Sequence, residues 1–294
     1  MLLMLNNKSI SDSYMNQLSI EKRTQLISCL VEGNSLRSTS RMCEVSVNTV
    51  MKFVADVGAM CANYQDRTFR NLQCKRLQCD EIWSFVGCKQ KNLKSGVSKD
   101  GWGDAWTWVA IDTETKLVPC WFVGPRDAQS AWRFIHDLKG RLANRVQLTT
   151  DGNKAYVNAI DNAFKCDIDF AQLVKIYGDV PPEHVRYSPG KFKGAKKTVM
   201  TGGPDEKHIS TSYIERQNLT MRMNMRRFTR LTNGHSKKLE NHACAIGLFY
   251  FHYNLCRVHA SLKTTPAMAA GITDRVWKLA DIADMLDVAE RLAA

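Results

Sequence analysis

Three acidic residues, Asp80, Asp151 and Glu215, are the residues of this sequence best placed to do chemistry. Asp80 and Asp151 belong to two apolar-periodic segments, residues 77–86 and 146–153, whereas Glu215 lies in a segment without strand alternation that predicts a helix. Two Mg²⁺ ions about 4 Å apart activate the attacking oxygen and stabilise the leaving oxygen of a phosphodiester when carboxylates hold both ions. The three residues therefore predict a two-metal site, with Mn²⁺ as a substitute, for cutting and joining DNA.

The charge balance also indicates a nucleic-acid partner. The chain of 294 residues has 41 Lys and Arg against 29 Asp and Glu, a formal net charge of +12. Residues 181–260 alone contain 14 Lys and Arg and 5 Asp and Glu, so the basic residues are concentrated around Glu215. A solvated basic face is the alternative, but this clustering suits a phosphate backbone better than a membrane.

Other sequence features exclude several classes of protein. No run of 18 apolar residues is present, which argues against a transmembrane helix, and the N-terminal Met-Leu-Leu-Met-Leu is too short for a signal peptide. We therefore expect a cytoplasmic protein with no membrane partner. The ten cysteines include no Cys-x-x-Cys pair, so we expect reduced, mostly buried thiols and neither disulfides nor a zinc site.

One short motif connects the chain to a known family. Tyr213–Leu219 reads Tyr-Ile-Glu-Arg-Gln-Asn-Leu, and Arg222 follows Glu215 by seven residues. In these features the chain resembles the DDE transposases of short bacterial insertion sequences, within the ribonuclease-H-like integrase superfamily. The resemblance covers residues 74–272, and it departs from many relatives at Val258, where they have Pro.

The resemblance implies a set of roles and partners. Asp80, Asp151 and Glu215 would bind the metals and catalyse, and Arg222 would hold a phosphate. The partners would be the terminal inverted repeats of the element and the target DNA, bridged by a homo-oligomer.

Helical spacing adds Asn218 and Arg226 to the site that already includes Glu215 and Arg222. Residues three, seven and eleven positions after Glu215 lie on one face of a continuous helix. Asn218, Arg222 and Arg226 are therefore expected to contact phosphate or DNA beside Glu215.

The elements before residue 58 predict a small all-α domain. Apolar spacing and capping residues predict three helices, at residues 18–32, 35–43 and 46–55. This arrangement resembles a helix-turn-helix DNA-binding unit, whose last helix reads base edges with its N-terminal residues. The residues expected to do so are Asn48, Thr49 and Lys52. A helical unit with only a packing role is the alternative.

The remaining elements predict an α/β domain. Five segments read as strands, at residues 75–86, 106–112, 117–123, 145–150 and 170–176. The helices are expected at 128–142, at 154–164, from Glu215 onward, and at 239–255. The fold class is thus a ribonuclease-H-like mixed five-stranded sheet flanked by helices. The division is 1–58 for the DNA-binding domain, 59–73 for a linker or bridging helix, 74–272 for the catalytic domain and 273–294 for a helical tail.

Two long segments between these elements are basic and are interpreted as loops. Residues 89–103 join the first two strands, and residues 181–210 precede Glu215. Both could be ordinary flexible loops, or they could grip DNA through lysines and stack bases on Trp102 and Phe192. In the second loop the expected phosphate contacts are Lys191, Lys193, Lys196 and Lys197.

Glu81 is treated as a lesser candidate, because strand alternation would point it to the face opposite Asp80. The predicted function is a transposase that binds terminal inverted repeats and catalyses metal-dependent strand cleavage and transfer. Two alternatives remain at this point. One is a catalytically silent DNA-binding regulator derived from a transposase, and the other is a structure-specific DNA nuclease.

Overall fold

The computed structural model describes residues 17–96, 100–178, 190–229 and 232–293. The helices are α1 (Ile20–Val31), α2 (Leu36–Met42), α3 (Val47–Thr68), α4 (Ala128–Lys139), α5 (Ala155–Phe164), α6 (Ser212–Asn224), α7 (Leu239–Phe251), α8 (Pro266–Ala269) and α9 (Leu279–Ala293). The strands are β1 (Arg76–Val86), β2 (Gly103–Asp112), β3 (Trp121–Gly124), β4 (Gln147–Thr150), β5 (Asp169–Tyr177) and β6 (Phe192–Thr201). The first 16 residues of the predicted DNA-binding domain and residues 181–189 of the predicted second loop lie outside the described residues.

The strands form one mixed sheet in the order β3-β2-β1-β4-β5-β6. β1 pairs antiparallel with β2 and parallel with β4, and β4 pairs parallel with β5. Helices flank the sheet on both faces, as is typical of α/β proteins, and the architecture is consistent with the predicted ribonuclease-H-like core. The described sheet has six strands, so the prediction of five was wrong by one strand.

The strand missed from the sequence is β6, which lies inside the segment interpreted as a loop. Lys196 pairs with Val174 of β5 and Lys197 with Leu173. Most side chains of β6 are exposed, so the strand has no buried face to give it an alternating apolar pattern. Its backbone hydrogen bonds to β5 hold it in place, and those cannot be read from side-chain types.

Two apolar layers cover the two faces of the sheet. Trp108 and Ala110 of β2 pack in the core cluster that includes α4 and α5. Val109 and Ile111, which alternate with them, pack in the cluster formed with α6 and α7. This second layer places α6, with Glu215, over the face of β1 that carries Asp80.

Helix α3 extends well beyond its predicted end at Ala55, because its buried positions continue through Cys61 to Gln65. It crosses the predicted boundary at residue 58 and occupies most of the predicted linker. A Cβ added at Gly58 would lie 2.0 Å from the carbonyl oxygen of Cys244, so α3 and α7 touch through their backbones. The division into domains stays a prediction.

The C-terminal helix α9 packs on the first helix. Arg23 of α1, which is buried, donates a hydrogen bond to Glu290 of α9 at 2.8 Å. In the described part of the chain no single helix has both the length and the apolar character of a membrane span. The bent pair α2 and α3 meets both measures only when the two helices are taken together.

Candidate active site

The register of the sheet brings two of the predicted carboxylates together. The last paired residues of β1 and β4 are Cys79 and Thr150. The next residue on each chain is acidic, Asp80 and Asp151, and neighbouring strands lie only about 4.8 Å apart. Both carboxylates therefore leave the sheet side by side at the end of β4.

Glu81 completes a cluster with these two residues. One carboxylate oxygen from each of Asp80, Glu81 and Asp151 lies within 4.8 Å of the other two. Strand alternation directs Glu81 and Asp80 to opposite faces of β1, and their partners differ accordingly, since Asn153 donates to Glu81 whereas Asn218 donates to Asp80. Even so, one oxygen of Glu81 reaches the other two carboxylates where β4 ends at Thr150, and the status of Glu81 as a lesser candidate stays a prediction.

Burial and mutual repulsion change how these acids bind protons. Burial, followed by the charges of Asp151 and Glu81, raises the pKa of Asp80 to about 7. The charge of Glu215 adds to this effect, which places Glu215 near Asp80. Burial and then the charge of Asp151 also raise the pKa of Glu81. Such a concentration of negative charge favours a bound cation.

Arg126 lies between two of the acids. Its guanidinium is 3.3 Å from Glu81 and 3.5 Å from Asp151, and it stacks over Trp106 at 5.0 Å. Asn153 donates a second hydrogen bond to Glu81, at 2.8 Å. Arg126 lies in the connection between β3 and α4 and belongs to no motif or periodic pattern, so the sequence gives no sign of its place here.

Helix α6 is attached to β1 through two polar side chains. The side-chain oxygen of Gln78 accepts hydrogen bonds from the backbone N–H groups of Tyr213 and Ile214, at 2.9 and 3.1 Å. These are orphan donors at the start of the helix, so Gln78 serves as a cap supplied by the sheet. Two residues further along β1, Asp80 accepts a hydrogen bond from Asn218 at 2.9 Å. Asn218, predicted to contact DNA, is thus buried against the acidic cluster.

Glu215 lies beside the cluster and is held by other partners. Thr211 donates a hydrogen bond to one carboxylate oxygen at 2.7 Å, and Lys175 of β5 binds the other at 2.5 Å. Glu215 is not one of the three carboxylates that lie within 4.8 Å of one another. Its role as a metal ligand stays a prediction, and Lys175 is a neighbour that the sequence did not indicate.

The predicted row of basic residues on α6 is interrupted. Helix α6 ends at Asn224, and Met225 is extended, with φ of −125° and ψ of 110°. The chain turns there because the next turn buries Phe228 in the core. Arg226 therefore lies exposed in a separate 3₁₀ turn, and the expectation that it shares one helical face with Glu215 was wrong. Arg222 remains on α6 and is half-buried.

The four predicted lysines of the second loop are all exposed. Lys193, Lys196 and Lys197 lie on β6, and Lys191 directly precedes it. Lys197 also donates a hydrogen bond to the carbonyl of Glu206, at 2.5 Å. The basic segment is thus a strand on the edge of the sheet, close to Lys175 and Glu215.

The start of α3 carries the three residues predicted to read bases, Asn48, Thr49 and Lys52, and that role stays a prediction. Ser46 caps the helix by accepting a hydrogen bond from the N–H of Thr49 at 3.1 Å. Asn48 and Lys52 are exposed, whereas the hydroxyl of Thr49 is engaged with that of Ser46 at 2.9 Å. Trp102 donates a hydrogen bond from its indole N–H to the carbonyl of Lys237 at 3.3 Å, and its stacking on a base stays a prediction.

Comparisons with known proteins give low similarities. No family model and no curated protein matches the chain. Among solved structures, the fold is similar to a piggyBac transposase synaptic complex with hairpin DNA, with a TM-score of 0.38 and 12% identity over 97% of this chain and 75% of that one. It is also similar to a pre-cleavage Mos1 transpososome, with a TM-score of 0.29 and 8% identity over 95% and 82%. A Mos1 mariner paired-end complex with Mn gives 0.19 and 12% over 52% and 60%. These scores are too low to establish a common family.

Proposed function

We propose that this chain is a transposase that binds the terminal inverted repeats of its own insertion sequence and cleaves and joins DNA strands with divalent metal ions. The observation that best supports the proposal is the convergence of Asp80, Glu81 and Asp151 within 4.8 Å. Close carboxylates repel one another, and Arg126 offsets only part of their charge. A divalent cation would stabilise the arrangement.

The donors present fit Mg²⁺ or Mn²⁺. All are carboxylate oxygens, which these ions prefer over nitrogen or sulfur ligands. Asp80, Glu81 and Asp151 would hold one ion, and Glu215 together with Asp80 would hold a second. Bound there, such ions supply positive charge for the attacking and leaving oxygens of a phosphodiester.

The protein's own cations would orient the DNA at this site. Arg126 and Lys175 are paired with the acids that would bind metal, at 3.3 and 2.5 Å. Once those acids bind metal, both cations can turn to the phosphates of a bound strand. Arg222 on α6 and the lysines of β6 would extend this contact along the backbone.

DNA recognition is assigned to the first three helices. Asn48 and Lys52 are exposed at the start of α3, the position from which a recognition helix contacts base edges. A homo-oligomer that bridges two DNA ends, target-DNA binding and a cytoplasmic location belong to the same proposal.

A DNA-binding regulator without catalysis is the second candidate. The pairing of Lys175 with Glu215 and of Arg126 with Glu81 favours it, since a silent site would be neutralised by cations in this way. Cleavage assays separate the two candidates.

The test uses purified protein and DNA fragments from both flanks of its own gene, at fixed salt and with Mg²⁺. Wild type is compared with Glu215→Gln and with the control Asp161→Asn, which changes an exposed acid on α5. We expect wild type and the control to cleave, and Glu215→Gln to bind equally well but to cleave slower by orders of magnitude. Equal cleavage by Glu215→Gln would remove Glu215 from the site. Binding without cleavage by wild type, in Mg²⁺ and in Mn²⁺, would favour the regulator.

A further inference from the structure

A cavity of about 450 Å³ lies beyond the acidic cluster, at the far end of β1. Its lining includes Trp83, Phe85, Lys89, Arg227, Thr232 and Asn233. Trp83 is three residues from Asp80, about 10 Å along the strand. The cavity has the size of a small-ligand site and combines two aromatic rings with two cations.

Arg227 is the unusual member of this lining. Arg227 is half-buried, and burial lowers its pKa to about 10. In the described part of the chain no carboxylate lies within 4.0 Å of it. A partly buried cation without an acidic partner is destabilising, and a bound anion would offset that cost.

A chain of hydrogen bonds holds Arg227 in place without neutralising it. Arg227 donates to the hydroxyl of Ser236 at 2.7 Å, and Ser236 contacts Nδ1 of His242 at 2.8 Å. Nε2 of His242 contacts Ser84 at 3.1 Å, and Ser84 donates to the carbonyl of Ala105 at 2.8 Å. Since Ser84 uses its proton on Ala105, it accepts from Nε2–H, so Nδ1 accepts from Ser236, which in turn accepts from Arg227. The donors and acceptors of this network match throughout. Among the described residues it engages one N–H of the guanidinium, which leaves the others for a ligand.

The opposite wall is aromatic. The rings of Trp83 and Phe85 lie 5.8 Å apart, and Lys89 Nζ is 5.6 Å from the Trp83 ring. The Phe85 ring also stacks on the ring of His235, with the two ring centroids 4.7 Å apart. A planar ring can stack on such a surface while an attached anion reaches the cations.

A neighbouring cavity of about 640 Å³ shares Arg227 and Asn233 with the first. It lies between the first three helices and α7, and its lining includes Arg37, Arg226 and Lys237. None of the described residues that line it is acidic. These further cations beside the first cavity suit a polymer with repeated phosphates better than a single free nucleotide.

We propose that the cavity at Trp83 binds one unpaired nucleotide of a DNA strand, with its base on Trp83 and Phe85 and its phosphate on Arg227 and Lys89. The choice of DNA rests on the proposed function, whereas the nucleotide chemistry rests on the cavity itself. A strand that enters here would run on toward the acidic cluster along β1.

The test measures binding without metal, so that its outcome is independent of catalysis. Fluorescence anisotropy in EDTA follows a labelled single-stranded oligonucleotide, a blunt duplex of the same sequence and a labelled deoxynucleoside monophosphate. Trp83→Ala is compared with Trp132→Ala, which removes an exposed Trp on α4 that stacks on His136 at 4.0 Å. In parallel, an oligonucleotide with 5-iododeoxyuridine is photocrosslinked and the modified peptide is sequenced.

We expect Trp83→Ala to weaken single-strand binding about tenfold or more, the usual effect of losing one base–aromatic stack. Trp132→Ala should bind as wild type does, and duplex binding through α3 should be unchanged in both variants. Arg227→Lys, which keeps the charge, should weaken single-strand binding less than Trp83→Ala does. The crosslink should fall on Trp83 or Phe85.

Three results would overturn the proposal. Trp83→Ala could bind single strands as tightly as Trp132→Ala does, or the crosslink could map away from β1. Alternatively, the site could take the free mononucleotide and show no affinity for the oligonucleotide. If Trp83→Ala behaves as expected but the wild-type protein never cleaves DNA, only the transposase proposal fails.

Discussion

Replacing Glu81 with Gln tests whether this residue belongs to the proposed metal site, since the change keeps the shape of the side chain and removes its charge. At about 4 Å and an effective dielectric of 20, one carboxylate attracts a dication by about 8 kcal/mol. Two consequences of the change offset much of this loss. Arg126 is released from its ion pair with Glu81, and Asp80 loses a charge that raises its pKa.

The remaining loss should resemble that of a close supporting ligand, a weakening of metal binding by roughly 10- to 100-fold. Titration calorimetry with Mn²⁺ at neutral pH and without DNA measures it directly. Asp161→Asn serves as a control for surface charge, and Glu215→Gln should affect the first ion less, because its carboxylate lies outside the cluster. Thermal unfolding verifies that each variant is folded. If Glu81→Gln binds Mn²⁺ as wild type does while Asp80→Asn does not, Glu81 is only a structural neighbour of the site.

Three further predictions concern stability and recognition. Gly58→Ala forces α3 away from the backbone of α7 and should destabilise the protein by about 3 kcal/mol, which is a fall in Tm of roughly 10 °C in calorimetry. The control Gly194→Ala, with no atom within 4 Å of its Cβ position, should leave the Tm nearly unchanged. Burial holds the pKa of His242 at about 3, so between about pH 6.5 and pH 3 the unfolded chain binds a proton that the folded chain does not. Stability measured by urea unfolding should therefore fall by up to about 1.4 kcal/mol per pH unit as the pH drops through that window, and a variant without this histidine should show a shallower slope. In gel-shift assays, Asn48→Ala should weaken binding to the terminal repeats about tenfold, and Lys52→Ala should reduce the dependence of binding on salt. Both variants should cleave saturating DNA as wild type does.

The sequence indicated the parts of the fold that depend on side-chain periodicity. The first five strands and most of the main helices were placed within a few residues, because their apolar faces alternate with the period of the element, whereas the end of α3 was placed 13 residues too early. The same signal is missing from β6, which is exposed along most of its length and pairs through its backbone. Helix ends were harder to place, since the end of α6 at Asn224 depends on burying Phe228.

The residues of the candidate site also fall into two groups, those indicated by the sequence and those brought together only by the fold. Asp80 and Asp151 were found because strand ends and acid types are visible in the sequence, and their proximity follows from the pairing of Cys79 with Thr150. Glu81 was set aside because strand alternation directs it away from Asp80. One oxygen of its longer side chain nevertheless lies within 4.8 Å of oxygens of Asp80 and Asp151, and alternation alone does not show this. Arg126 and Lys175 could not be found, because their roles depend on which side chains the fold places opposite them.

If α3 reads DNA as proposed, its continuous helix fixes the distance between the recognised bases and the acidic cluster. Its 22 residues span about 33 Å, with exposed Asn48 at one end and the close contact of Gly58 with Cys244 near the middle. A flexible linker would let the reading helix and the acidic cluster take many separations on DNA. Because α3 is packed directly against the backbone of α7, this separation is fixed, so the number of base pairs between the recognised sequence and the cut should be constant. Changes of one base pair in that spacing should therefore affect cleavage more than binding.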